Sequence, residues 1–288
     1  MTEPRLDFVQ CLNGHGLHRM AYWEWGDPRN GRVLLCAHGL TRQGRDFDAL
    51  ARALSGTYRV ICPDVVGRGR SEWLTNPMEY QLPTYVADMV TLLARLHVDT
   101  VDWVGTSMGG LIGILVAALS GTPIRSLVIN DIGPTLKAEG LARIGSYVGQ
   151  AIRFATVDEV TDYLSSVAQS FGPHTREEWL ALCRPMLKPA EDGSGFVLHY
   201  DPRIAVAFKA MTPAAAATSE ATLWQRYDAV RARTLVIRGE ESDLLSRETA
   251  EAMTQRGPRA TLRTIPGVGH APTFVPADQI AVVREFLG

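Results

Sequence analysis

The chain has 288 residues, 46% hydrophobic and 21% charged, with 29 Lys and Arg against 31 Asp and Glu, a formal net charge of −2. That apolar content excludes a disordered chain. The balanced charge, without any basic block, argues against a nucleic-acid-binding surface.

The predicted elements alternate. Residues 18–25 (HRMAYWEW) read as an early strand after the turn-like Asn13-Gly14, followed by short apolar runs at 32–37 (RVLLCA) and 58–62 (YRVIC). A helix over 84–97 puts Val86, Met89, Val90, Leu93 and Leu96 on one stripe, with Thr84 as its N-cap. Strand 101–106 (VDWVGT) leads into a helix over 108–119 carrying Leu111, Ile112, Leu115, Val116 and Leu119, and strand 126–131 (SLVIND) follows. Near-continuous apolar runs of this length suit strands buried on both faces of a parallel sheet. From Pro134 to Arg231 no parallel-sheet strand is convincing. Capping-box patterns at Thr156…Glu159 and Thr175…Glu178 mark helices, Pro185, Pro189, Pro202 and Pro213 break the segment, and 196–200 is extended. Strand signals return at 234–239 and 261–265, and a last helix over 277–287 follows Pro276. The expectation is an α/β protein with a mostly parallel, doubly wound sheet. Its core would comprise residues 1–133 and 232–288, with a helical insertion over 134–231.

The strongest chemical signal is Gly105-Thr106-Ser107-Met108-Gly109-Gly110, between a strand and a helix. G-x-S-x-G at such a turn is a nucleophile elbow. Its tightness demands small residues two away on either side, which Gly105 and Gly109 satisfy, and it pushes Ser107 out at the sheet edge where open α/β sheets bind ligands. A serine hydroxyl needs a base at neutral pH. His270, in Gly267-Val268-Gly269-His270 after the last strand signal, is the candidate. The carboxylate that orients it is expected to be Asp243, on the loop after strand 234–239, with Asp131 and Glu240 or Glu241 as rivals. An acyl-transfer site also needs two donors for the oxyanion. The backbone N–H of Met108 and that of Leu40, in His38-Gly39-Leu40, are the candidates. His38 reads as a structural ring, and Arg42 and Arg45 as solvated side chains.

Other chemistries find no support. There is no GxxxxGK[ST] or HExxH, Gly14-His15-Gly16 lacks the third glycine of a dinucleotide fingerprint, and His15 and His18 have HxxH spacing without evident acid ligands. No cofactor and no metal are expected. None of Cys11, Cys36, Cys62 and Cys183 sits in a CxxC pair. No apolar run reaches the ~20 residues that span a bilayer, and MTEPRLDFVQ lacks a leader profile. A cytoplasmic setting without membrane partners is expected.

These motifs, in this order, resemble the α/β-hydrolase superfamily over nearly the whole chain. Pro63-Asp64-Val65-Val66-Gly67-Arg68-Gly69-Arg70-Ser71 looks like the family's post-strand D-x-x-G-x-G-x-S loop, where Asp64 and the glycines are structural. The chain is most similar to the capped bacterial branch of carboxylesterases, enol-lactonases and carbon–carbon bond hydrolases. Serine rather than aspartate at the elbow argues against haloalkane dehalogenases and epoxide hydrolases. The resemblance implies a cofactor-free, monomeric or homodimeric serine hydrolase acting on a small molecule, with the insertion as a helical cap. Phe154, Tyr163, Phe171, Trp179, Trp224 and Met211 are its candidate lining residues. Hydrolysis of a carboxylic ester or lactone through an acyl-enzyme is the first expectation. The alternatives are carbon–carbon cleavage of ring-cleavage products by the same triad, or a non-catalytic ligand receptor on this scaffold.

Overall fold

Apolar runs without polar alternation must be covered on both faces, and the computed structural model, which describes residues 3–288, arranges them that way. The chain enters through an antiparallel pair, β1 (Arg5–Asn13) and β2 (Gly16–Trp25). β1 was not foreseen. It is the sheet's edge strand and is fully buried only at Val9 and Cys11, too brief an alternation to stand out in sequence. There follow β3 (Val33–Ala37), α1 (Asp48–Leu54), β4 (Arg59–Pro63), α2 (Leu82–Leu96), β5 (Val101–Thr106), α3 (Met108–Ala117) and β6 (Ile124–Asn130).

α2 starts earlier than expected. Gln81, not Thr84, is its N-cap, and Pro83 sits in the first turn, where its missing N–H costs nothing. Its buried stripe runs through Tyr85, Met89, Leu92 and Leu96, while Val90 is exposed. α3 is buried nearly all round, as the helix that crosses the middle of the sheet must be.

Between β6 and the next sheet strand lie α4 (Ala138–Tyr147), β7 (Arg153–Phe154), α5 (Val157–Val167), α6 (Arg176–Cys183), β8 (Leu187–Pro189), β9 (Phe196–Leu198), α7 (Ile204–Lys209) and α8 (Pro213–Ala229). The strands form a small antiparallel sheet in the order β7-β9-β8; β9 lies in the stretch expected to be extended, and β7 and β8 are additions to the helices expected there. Thr175 and Glu178 make the reciprocal capping box. At Thr156 only half of it forms, because the Glu159 carboxylate accepts from Ala155 N instead. Phe154, Val160, Leu164, Trp179, Leu182 and Met186 form a local apolar cluster. Tyr200, Ile204, Leu223 and Tyr227, from the same segment, pack into the main core.

The chain closes with β10 (Arg233–Gly239), α9 (Arg247–Gln255), β11 (Thr261–Ile265) and α10 (Ala277–Leu287). The eight-stranded sheet has the order β1-β2-β4-β3-β5-β6-β10-β11, parallel from β4 onward. Consecutive residues feed opposite faces: Leu35, Trp103 and Leu127 enter one core cluster, and Leu34, Val104 and Val128 the other. The parallel strands therefore all end at one rim, so the loops after β3, β5, β6, β10 and β11 share one edge. No helix among the described residues is long and apolar enough to cross a membrane. All four cysteines are free and buried.

Candidate active site

Ser107 connects β5 to α3 with φ 52° and ψ −119°, a conformation that non-glycine residues rarely occupy. The flanking glycines are required. A side-chain carbon at Gly105 would collide with the Gly109 carbonyl, and one at Gly109 with the Ala37 carbonyl of β3. The elbow thus holds its hydroxyl off the sheet edge at the N-terminus of α3.

His270, on the loop after β11, meets it there. Its Nε2 lies 3.0 Å from Ser107 Oγ, and its Nδ1 lies 2.8 Å from Asp131 Oδ2. Asp131 is fully buried and also accepts from Gly239 N at 2.7 Å and Ser242 Oγ at 2.6 Å. These donors hold its charge and fix its orientation.

The expectation for Asp243 is corrected here. Its carboxylate lies on Arg143 of α4, accepting from Nε at 2.5 Å and Nη2 at 2.8 Å, and the carboxylate on His270 belongs to Asp131. Arg143 holds the Asp243 carboxyl below its usual range. The reason is topological. β6 lies between β5 and β10, so Asp131, the residue just after β6, faces the elbow directly. The loop after β10 turns at Gly239–Ser242, and Ser242, one residue before Asp243, reaches Asp131. Glu240 and Glu241 are exposed, Glu240 accepting from Gly267 N at 3.2 Å.

The loop after β3 lies on the other side of the hydroxyl. A side-chain carbon at Gly39 would sit 3.7 Å from Ser107 Cβ. The N–H groups of Leu40 and Met108 have no hydrogen-bond acceptor among the described residues. His38 is a structural ring, fully buried, with Nε2 accepting from Val65 N at 2.9 Å and Nδ1–H donating to Gly39 O at 2.7 Å. Burial pushes its pKa from 6.5 down to about 3. Protonation below pH 6.5 therefore belongs to the unfolded chain, and stability is lost as pH falls from 6.5 toward 3. Between pH 6.5 and pH 5 this amounts to roughly 2 kcal/mol, at 1.36 kcal/mol per pH unit. Urea unfolding at pH 7 and pH 5 should show a pH-dependent loss about that much smaller in His38→Gln than in the wild type. Equal losses in the two proteins would refute the assignment.

Arg42 is not solvated. It forms a two-point ion pair with Asp46 at 2.5 and 2.9 Å on the wall of a cleft above Ser107. Arg45 pairs with Asp48 at 2.7 Å and stacks on Trp23. The cleft, a cavity of about 110 Å³, takes Leu40, Ser107 and His270 from the sheet edge and Ile144, Tyr147, Tyr163, Phe171, Met186 and Tyr200 from the inserted segment. Of the expected lining residues, Tyr163 and Phe171 face it. Phe154 and Trp179 belong to the local cluster, Trp224 bonds Thr135 Oγ, and Met211 is exposed. Tyr147, Met186 and Tyr200 had no distinguishing sequence signal. His15 and His18 each have an acid partner after all. His15 pairs with Glu79 at 2.6 Å; His18 lies 3.1 Å from both Asp88 oxygens, beside Cys11 in a buried cluster.

The model of the alpha/beta hydrolase family matches residues 33–283. The chain is 55% identical to a 3-hydroxybutyrate-oligomer hydrolase of Cupriavidus necator over 287 residues, 99% of this chain and 98% of that one. It is 28% identical to a pimeloyl-[acyl-carrier protein] methyl ester esterase of Xanthomonas campestris, over 88% of this chain and 93% of that one. The crystal structure of an alpha/beta hydrolase from Novosphingobium aromaticivorans superposes with a TM-score of 0.86 at 34% identity, covering 100% of this chain and 99% of the other.

Proposed function

Because the chain belongs to the alpha/beta hydrolase family, we propose that it is a serine hydrolase of carboxylic esters that cleaves short hydroxyacid oligoesters through an acyl-enzyme. The observation that carries this reading is the hydrogen-bonded chain Ser107–His270–Asp131 beside two amides without acceptors. Ser107 Oγ attacks the ester carbonyl while His270 Nε2 takes its proton. Asp131 holds the Nδ1–H tautomer and stabilises the imidazolium. The N–H groups of Leu40 and Met108 receive the tetrahedral oxyanion, each contributing about 3 kcal/mol to the barrier reduction. His270 then protonates the leaving alcohol, and water repeats the sequence on the acyl-enzyme.

Residues 1–133 and 232–288 act as the hydrolase core and 134–231 as the cap that selects the substrate. The cleft is lined by apolar side chains together with Tyr147, Tyr163 and Tyr200 and the Arg42–Asp46 pair. That combination suits a chain of methyl-bearing units joined by ester carbonyls. The substrate named for the Cupriavidus relative, 3-hydroxybutyrate oligomers, has this chemistry and is the proposed class here. Four buried free thiols fit a reducing cytoplasm. The test is a panel of 3-hydroxybutyrate dimer and trimer, p-nitrophenyl esters of graded chain length and simple lactones. Release of 3-hydroxybutyrate and fluorophosphonate labelling of Ser107 are expected. An unlabelled Ser107, or turnover of long-chain esters only, would overturn the reading.

A further inference from the structure

Arg68 is completely buried, and no carboxylate pairs with it among the described residues. An unpaired buried guanidinium carries a large desolvation cost, so what surrounds it is informative. Its Nε donates to Leu40 O at 2.8 Å and its Nη1 to Val66 O at 2.7 Å, and its Nη2 lies 3.5 Å from Met108 Sδ. The ring of Tyr85 lies 4.9 Å from the guanidinium carbon, on a face that attracts cations. The nearby Asp201 carboxylate is already held by Arg203 and the Tyr80 hydroxyl. Two of the three groups that Arg68 holds belong to the residues whose amides face the reacting carbonyl in the mechanism above.

We propose that Arg68 is a positioning residue for the oxyanion site. Its planar fork fixes the Leu40 carbonyl, and so the direction of the adjoining loop, and braces the Met108 side chain. Its charge stands behind both amides without a resident anion. The negative charge it meets arrives with the tetrahedral intermediate, in a dry setting where such a field acts strongly. The loop itself is pinned to the cap: Gly69 N donates to His199 O and Asp201 N to Gly67 O, flanking the cleft residue Tyr200. The sequence placed this arginine in a structural loop; its bonds to Leu40 and Met108 add a role in the reaction.

This inference rests on the serine-hydrolase reading, and its test separates the two. Arg68→Gln and Arg68→Lys are compared with wild type for kcat and KM on p-nitrophenyl butyrate. Affinity for phenylboronic acid, which forms an anionic tetrahedral adduct on a reactive serine, is measured alongside. Arg68→Gln should lower kcat about 10- to 100-fold with KM within about threefold, bounded by the loss of one oxyanion donor. Boronate affinity should fall by the same factor as kcat/KM. Arg68→Lys keeps the charge but not the three-point fork, so it should fall between the two. Wild-type kcat in either folded variant, or a fall in kcat without a fall in boronate affinity, would overturn the proposal. If neither variant folds, Arg68 serves the fold alone and the proposal falls. Failure of the wild-type protein itself to label at Ser107 would instead overturn the hydrolase reading beneath it.

Discussion

Ser107→Ala and His270→Ala are each expected to lower kcat on p-nitrophenyl butyrate by roughly 10⁵- to 10⁶-fold, with little change in KM. The two side chains act as one unit through a 3.0 Å hydrogen bond. Removing either leaves only the amides and substrate binding, which retain roughly 10³- to 10⁴-fold over water. The double variant should therefore be no slower than either single one. Alanine at 107 also relieves no backbone constraint, because φ 52° is dictated by the elbow and not by the serine. Steady-state kinetics and fluorophosphonate labelling read the outcome. A Ser107→Ala protein retaining a tenth of wild-type turnover would dispose of the nucleophile assignment.

The second large effect separates two aspartates. Asp131→Asn should cost about 10³- to 10⁴-fold in kcat, because an amide presents an N–H where His270 needs an acceptor and selects the wrong tautomer. The loss should exceed what stability explains, since Gly239 N can still bond the amide oxygen. Asp243→Asn breaks only its pair with Arg143, whose side chains are about a third exposed. Pairs at that exposure contribute up to about 1 kcal/mol to stability, so kcat should stay within about threefold of wild type. Parallel kinetics on the two variants decide between them. Equal losses, or a larger loss at Asp243, would return the role of His270's partner to Asp243.

These two aspartates also mark where reading the chain in one dimension stops. The elbow was legible because its constraint is local: a turn between β5 and α3 admits nothing larger than glycine beside Gly109 O and Ala37 O. His270 was legible because a histidine behind a glycine-rich turn after the last strand has one rim to face. The chain order Ser, Asp, His holds for Asp131 as well as for Asp243, so order alone could not choose. The α/β alternation followed from periodicity and turn residues. β1 did not, because an edge strand buries little and its pattern is weak.

What the sequence determined by itself was therefore the set of parts: a strained serine, a histidine loop, an early glycine turn and a sheet whose strands end together. The tertiary structure alone decided which carboxylate meets His270 and which tyrosines line the cleft. Asp131 and His270 are 139 residues apart and meet because β6 lies between β5 and β10. Arg42 and Arg68 look alike in composition, yet one finds Asp46 and the other finds only carbonyls, a sulfur and aromatic rings. Hydrogen bonds and burial depend on what lies within a few ångströms, and that neighbourhood is set by strand order and loop packing, which local periodicity does not encode.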